Sequence, residues 1–207
     1  FSGDNGGADY FKSPEHPRGV HQANKHPQTG VEYRGKKGML YEGGLRIPFV
    51  VRWPGKIEPG RVSDHLGYFP DMLPTIAELT GAQPPADIDG VSIVPELIGP
   101  GAAGRKQQQH DYLYWEIGRW TAIRQDRWRA VRPKRGEAWE LYDVERDPSE
   151  SENLANAEPS ELSRLVALAE SAHEPVREGV FASIDRHQRD RRAKFGEHDD
   201  AKASLRR

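Results

Sequence analysis

Between residues 112 and 142 the chain carries four short runs rich in aromatic and β-branched residues. They are Tyr112-Leu113-Tyr114-Trp115-Glu116, Trp120-Thr121-Ala122-Ile123-Arg124, Trp128-Arg129-Ala130-Val131-Arg132 and Trp139-Glu140-Leu141-Tyr142. Mostly turn-forming or charged residues separate them. Runs of this length and spacing predict an antiparallel meander, which ends at Asp147-Pro148. A small sheet is stable only when a layer packs on it. Leu162, Leu165, Val166, Leu168 and Ala169 recur at helical spacing and predict that layer, a helix over 159–173. A second helix is predicted over 176–194, and from Asp185 onward the sequence is almost all charged and is expected to fray.

The first half has a different texture. Leu45-Arg46-Ile47-Pro48-Phe49-Val50-Val51-Arg52-Trp53, stopped by Pro54-Gly55, predicts a strand that is at least partly buried. Asp71 to Gly81 predicts a helix with Pro74 early in it and Gly81 as its C-terminal stop. The Pro- and Gly-rich stretch 83–104 reads as loop, with one helical turn around Pro95–Ile98. Residues 8–36, rich in Gly, Pro, His and Lys without periodicity, read as a long surface loop, which in a compact domain is functional or disordered. Phe1-Ser2-Gly3-Asp4-Asn5-Gly6-Gly7 reads as the last step of a buried strand entering a turn, so the strand and what precedes it are expected to lie outside this sequence. The expected organisation is 1–108 as the end of an α/β domain, 109–195 as a small α+β subdomain, and 196–207 as a charged, disordered tail. There is no internal repeat.

Composition narrows the function classes. A net charge of −2 argues against nucleic acid or an acidic membrane surface as a general partner. With no cysteine, disulfides, thiolate metal sites and a thiol nucleophile are excluded within these residues. No apolar run approaches the roughly 20 residues needed to cross a bilayer.

Two motifs can carry chemistry. At a strand end that breaks into a glycine turn, the oxygens of Asp4 and Asn5 can be aimed at one point, and two hard oxygens suit Ca²⁺ or Mg²⁺. Ca²⁺ takes 6–8 oxygens, so the pair is at most part of a site; taken alone, Asp-Asn-Gly reads first as a plain turn. The second motif is Gly35-Lys36-Lys37-Gly38-Met39-Leu40-Tyr41-Glu42-Gly43-Gly44-Leu45-Arg46-Ile47-Pro48. Its glycines allow tight turns and close approach to a ligand. Lys37 between them can present a point charge to a sulfate or phosphate oxygen, or be a solvated surface lysine. Glu42 and Arg46 are expected to form a structural ion pair off any helix.

Taken together and in order, these motifs resemble the arylsulfatase family, the formylglycine-dependent sulfatases of the alkaline-phosphatase superfamily. The resemblance continues through Arg52-Trp53-Pro54-Gly55-Lys56-Ile57, Asp71-Met72-Leu73-Pro74-Thr75-Ile76, Asp89-Gly90-Val91-Ser92 and Glu140-Leu141-Tyr142-Asp143-Val144-Glu145-Arg146-Asp147-Pro148, then Glu152-Asn153-Leu154-Ala155. It covers most of residues 1–155 and matches the C-terminal portion of the family. The implied fold is α/β: the end of an alkaline-phosphatase-like domain, then a small four-stranded antiparallel sheet with a packing helix.

The resemblance implies that Asp4 and Asn5 complete a divalent metal site, usually calcium, and that Lys37 contacts the substrate's sulfate as a catalytic and binding residue. It implies a sulfated small molecule or carbohydrate as substrate, hydrolysis of a sulfate ester, and a periplasmic or secreted location. The family's nucleophile, a formylglycine made from a Cys/Ser-x-Pro/Ala-x-Arg motif, matches nothing here; Ser13-Pro14-Glu15-His16-Pro17-Arg18 has the wrong spacing. The chain alone is therefore expected to be inactive and to expose apolar surface. His16, His21, His26 and His65 match no catalytic position, although the first three lie in a loop where substrate contact is possible. Other readings are a non-catalytic sulfatase-like protein that binds anionic glycans or a partner, and a phosphate- or phosphonate-ester hydrolase of the same superfamily.

Overall fold

The computed structural model describes residues 1–8, 24–26 and 28–175. His16, His21, most of the 8–36 loop, the helix expected over 176–194 and the charged tail lie outside the described residues. The chain divides into units Phe1–Ala172 and His173–Arg207, and the account below concerns the first.

The meander forms as four antiparallel strands in chain order: β1 Leu113–Ile117, β2 Trp120–Gln125, β3 Trp128–Arg132 and β4 Glu140–Asp143. Two-residue turns join the first three. Gly118 (φ 61°) and Asp126 (φ 51°) adopt the left-handed backbone that such turns require and that Gly and Asp tolerate. Register places Ala122 opposite Val131 and Ile123 opposite Ala130. Because side chains alternate faces, those pairs lie on opposite sides of the sheet.

Both faces are covered. Ile123, Ala130 and Leu141 pack with Leu165 and Ala169 of helix α5, Pro159–Ala172. Ala122, Val131 and Tyr142 pack with Leu40, Tyr41 and Val144, flanked by Trp115 and Trp120. The second cover belongs to the glycine-rich segment, so the sheet is a platform on which that segment rests. Leu165 is fully buried on the α5 side. Leu165→Ala is expected to cost about 2–5 kcal/mol, read as a lower urea midpoint at unchanged slope.

The other helices are short. The chain forms α1 Glu42–Leu45, a 3₁₀ turn Phe69–Asp71, α2 Met72–Thr80, α3 Val94–Ile98 and α4 Pro100–Ala103. Gly81, at φ 71°, ends α2 as expected. Its cap amide and the next one bond back to the last carbonyls of the helix. α4 was not expected from the loop-like composition of 83–104.

One expectation is corrected. Residues 45–53 do not form a buried strand: Leu45 ends α1, and the run pairs only through a single antiparallel bridge, Ser2 with Phe49. Phe49, Val50, Val51 and Trp53 are exposed. Amides of Gly3 and Val50 bond to the carbonyls of Pro48 and Phe1, at 3.2 and 2.8 Å. β-branched composition favours extended backbone, but no layer among the described residues packs on this run, and it forms one bridge only. α2 likewise turns Pro74, Thr75 and Ala77 inward and leaves Leu73, Ile76 and Leu79 exposed.

Candidate active-site edge

The two motifs meet through backbone, with glycine at every point of contact. Gly6 donates its amide to the Gly44 carbonyl at 2.9 Å, and Lys37 donates to the Gly7 carbonyl at 2.9 Å. Gly43 donates to the Arg34 carbonyl at 2.7 Å. A Cβ on Gly6 would lie 2.2 Å from the Gly43 oxygen, one on Gly43 2.5 Å from the Gly35 oxygen, and one on Gly44 2.0 Å from the Met39 oxygen. Three backbone layers, 4–7, 43–44 and 33–39, are thus stacked more closely than any side chain permits. This refines the expected use of the glycines. Gly35 and Gly38, at φ 80° and 87°, make turns, whereas Gly43 and Gly44 sit in α1 and serve contact between backbones rather than approach to a ligand.

The packing sets Lys37 beside the Asp4–Gly7 bend. Lys37 is exposed on its turn, Asp4 is exposed, and Asn5 is half-buried. The Asn5 amide nitrogen donates to the Gly6 carbonyl at 2.8 Å, which fixes the side-chain amide. One carboxylate and one oriented amide oxygen fit part of a calcium shell but not a whole one. Among the described residues no cluster of three or more His, Cys, Asp or Glu side chains could hold a metal.

The other histidines and motif residues lie as follows. His26 Nδ1 accepts from the amides of Gln28 and Thr29 at 3.3 and 3.1 Å, capping a local turn. His65 is half-buried, and its ring nitrogens have no hydrogen-bond partner among the described residues. Buried Asp71 accepts from the amides of Tyr68 and Val91 at 2.9 and 2.8 Å and lies 2.8 Å from His110 Nε2. Glu42 and Arg46 do form an ion pair, at 2.9 Å, but across the single turn of α1 rather than off a helix.

The sequence reading missed the charge network beneath the glycine stack. Arg129, on the sheet face that bears Val131, is buried with Glu42 and Glu150. Its guanidinium bonds the Glu42 carboxylate and the Leu40 carbonyl, and its Nε lies 3.3 Å from Glu150 Oε1. Glu150 Oε2 accepts the Glu42 amide at 2.7 Å. On the same face, Glu140 accepts from the hydroxyls of Tyr41 and Tyr142 at 2.6 and 2.7 Å. Arg34 lies 4.0 Å over the Tyr41 ring.

The two buried carboxylates respond oppositely to this setting. Burial pushes Glu150 up to about 7, against the pull of Arg129 and the Glu42 amide. Burial also opposes the charge on Glu42, but Arg129, Arg46 and Arg124 surround it and hold it below the usual carboxylate range. A raised acid binds its proton more tightly when folded, so stability from Glu150 is fully present below its unfolded value near 4.3 and is lost as pH rises through about 7. Glu42 acts the other way: its stability is lost only on the acid side, as pH falls through its lowered value. Unfolding free energy is therefore expected to fall by about 2–3 kcal/mol between pH 5 and 8 through Glu150. Urea titrations across this window should show that decline flattened in Glu150→Gln.

Short helices followed by a helix-backed four-stranded meander, with this glycine-packed edge, match the C-terminal region of sulfatases of alkaline-phosphatase-like fold. The family described as N-sulphoglucosamine sulphohydrolase, C-terminal, matches residues 33–172, and the chain belongs to it. It is 30% identical over 165 residues to an N-acetylgalactosamine-6-O-sulfatase of Bacteroides thetaiotaomicron, covering 72% of this chain and 31% of that protein. Human arylsulfatase A is 33% identical over 159 residues, covering 64% and 31%. Among solved structures, a 2-O GAG sulfatase is 29% identical with a TM-score of 0.54, covering 76% of this chain and 34% of that one. A Pseudoalteromonas sulfatase, at 21% identity and a TM-score of 0.60 over 83% and 36%, shares the fold. The chain spans less than a third of the length of these curated relatives. Among the described residues no helix is long and apolar enough to cross a membrane.

Proposed function

We propose that this chain is the C-terminal part of a sulfuric ester hydrolase acting on a sulfated carbohydrate, with Lys37 as the sulfate-contacting cation and Asp4 and Asn5 as ligands of a divalent metal, calcium by preference. The observation that carries the reading is the pair of backbone bonds, Gly6 to Gly44 and Lys37 to Gly7, that brings the oxygen pair and the lysine to one edge. The likeness to an N-acetylgalactosamine-6-O-sulfatase, 30% identical over 165 residues, supports the carbohydrate assignment.

Hydrolysis of a sulfate ester places growing negative charge on the transferring group and the leaving oxygen, and preorganised cations are the main means of stabilising it. Lys37 supplies one such charge from a turn whose backbone is already fixed, so little reorganisation is needed. Asp4 and Asn5 would hold a hard divalent ion, which acts as a Lewis acid on the sulfate oxygens. The nucleophile and the other metal ligands are expected upstream of Phe1, so the chain alone is expected to release no sulfate. Periplasmic or secreted placement accompanies this proposal.

The test is to read the coding sequence upstream of Phe1 in frame and to assay its full product for sulfate release from sulfated monosaccharides, with and without a calcium chelator. A Cys/Ser-x-Pro/Ala-x-Arg motif and chelator-sensitive release support the reading. A start codon directly before Phe1, with glycan binding but no turnover, supports the non-catalytic alternative. Release of phosphate rather than sulfate supports the phosphate- or phosphonate-ester alternative.

A further inference from the structure

Lys37 is exposed on its turn, and that turn is tied through Gly7 and through α1 to the sheet. β3 supplies Arg129, which bonds the Leu40 carbonyl and the Glu42 carboxylate. Arg124 of β2 adds a second cation 3.9 Å from the same carboxylate, and Arg46 a third at 2.9 Å. From the far side, Glu150 takes the Glu42 amide. α1 is thus gripped at its first residue by both side chain and backbone. Gly43 and Gly44, the next two residues, carry the stacked layers: Gly43 donates to the Arg34 carbonyl, Gly44 accepts from Gly6, and Gly44 lies against the Lys36 and Met39 carbonyls of the Lys37 turn.

Glu150 adds an independent observation. It is fully buried and adopts φ 51°, the left-handed backbone that glycine occupies without cost. A strained residue persists where its surroundings over-determine it, and strain of this kind clusters at functional sites. Replacing a buried ion triad with apolar residues often raises stability, so such a triad is weak evidence for a stabilising role alone. What this triad does provide is a fixed direction, because a planar guanidinium bonded to the Glu42 carboxylate and the Leu40 carbonyl, and ion-paired with Glu150, holds α1 in place.

We propose that Arg129, Glu42 and Glu150 form a positioning clamp that makes the meander the base plate for Lys37, Asp4 and Asn5. Its catalytic relevance rests on the sulfatase reading above; its geometry does not. The groups facing the clamp are Arg124 of β2, Arg46 after α1, and Arg34, whose Nη1 lies 3.4 Å from the Glu150 carbonyl.

Residue-resolved hydrogen exchange on the full chain at pH 7.5 tests it, comparing wild type with Glu150→Gln and Arg129→Lys. Expected is a loss of protection of about tenfold or more at the amides of Glu42, Gly43, Gly44 and Lys37, with the α5 amides around Leu165 unchanged. Unchanged protection at Lys37 and Gly44, or an equal loss in α5, would overturn the clamp. Should Arg129→Lys fail to fold, Glu150→Gln decides alone, since it preserves shape. In the full-frame product, Glu150→Gln is expected to lower kcat with little change in KM, because it displaces groups that act on the transition state. A full-frame wild type that releases no sulfate defeats the functional reading, while the exchange result still decides the clamp.

Discussion

Gly44→Ala is expected to dismantle the glycine stack and to cost at least about 3 kcal/mol, beyond the usual range for one added methyl group in a core. The reason is what the methyl would meet. A Cβ there falls 2.0 Å from the Met39 carbonyl oxygen and 2.7 Å from that of Lys36. These are backbone atoms, with no rotamer to change. Relief would require shifting the 36–39 turn, whose Met39 amide is bonded to the Lys36 carbonyl at 2.9 Å. Two further glycines separate steric from conformational cost. At Gly38 a Cβ meets nothing within 4 Å, but φ is 87°, so Gly38→Ala should cost only the left-handed penalty of about 1–2 kcal/mol. At Gly101 there is open space and no left-handed backbone, and Gly101→Ala should be neutral or slightly stabilising. Urea midpoints ranked Gly44→Ala lowest, then Gly38→Ala, then Gly101→Ala at or above wild type would bear this out. Equal midpoints for Gly44→Ala and Gly101→Ala would refute the stacked-backbone account.

The contrast among these glycines also shows which parts of the molecule are legible in the chain. Aromatic runs separated by short turns announced β1 to β4, and Leu165 and Ala169 at helical spacing announced α5, because each signal is local. Gly81 and Pro74 marked α2 for the same reason. Spacing within 35–48 points to close approach, but whether the glycines approach a ligand or another backbone depends on how the 33–35 carbonyls fold against Gly43 and on Gly6, which bonds Gly44 from 38 residues away. The clamp was hidden for a similar reason. Arg129 sits in Trp-Arg-Ala-Val-Arg and Glu150 in a charged Pro-Ser-Glu-Ser-Glu stretch, and both read as surface charge. One usable sign was present: Arg129 is two residues from Val131 on a central strand and therefore shares its buried face. The 45–53 run failed because β-branched composition signals extended backbone without saying what will cover it.

Lys37→Ala is expected to leave the fold intact and to remove most of the activity of the full-frame protein, and that dissociation is the sharpest test of the site. The side chain is exposed, and its backbone bond to Gly7 survives truncation to alanine, so stability should change by no more than about 0.5 kcal/mol. The loss of one preorganised charge facing the transferring group is worth about 2–4 kcal/mol of transition-state energy, a fall of roughly 30- to 1000-fold in kcat/KM. Most of that fall should lie in kcat, since the charge meets more developed anion in the transition state than in the bound ester. Lys37→Arg should not restore full activity, because a planar fork cannot place its charge where a compact ammonium stood on a turn this tightly held by Gly35 and Gly38. Paired urea melts and sulfate-release kinetics on the two variants measure both quantities at once. Unchanged kcat/KM in Lys37→Ala would remove the lysine from the reaction and with it the main support for a sulfate site at this edge; a matching loss of stability would make its role structural instead.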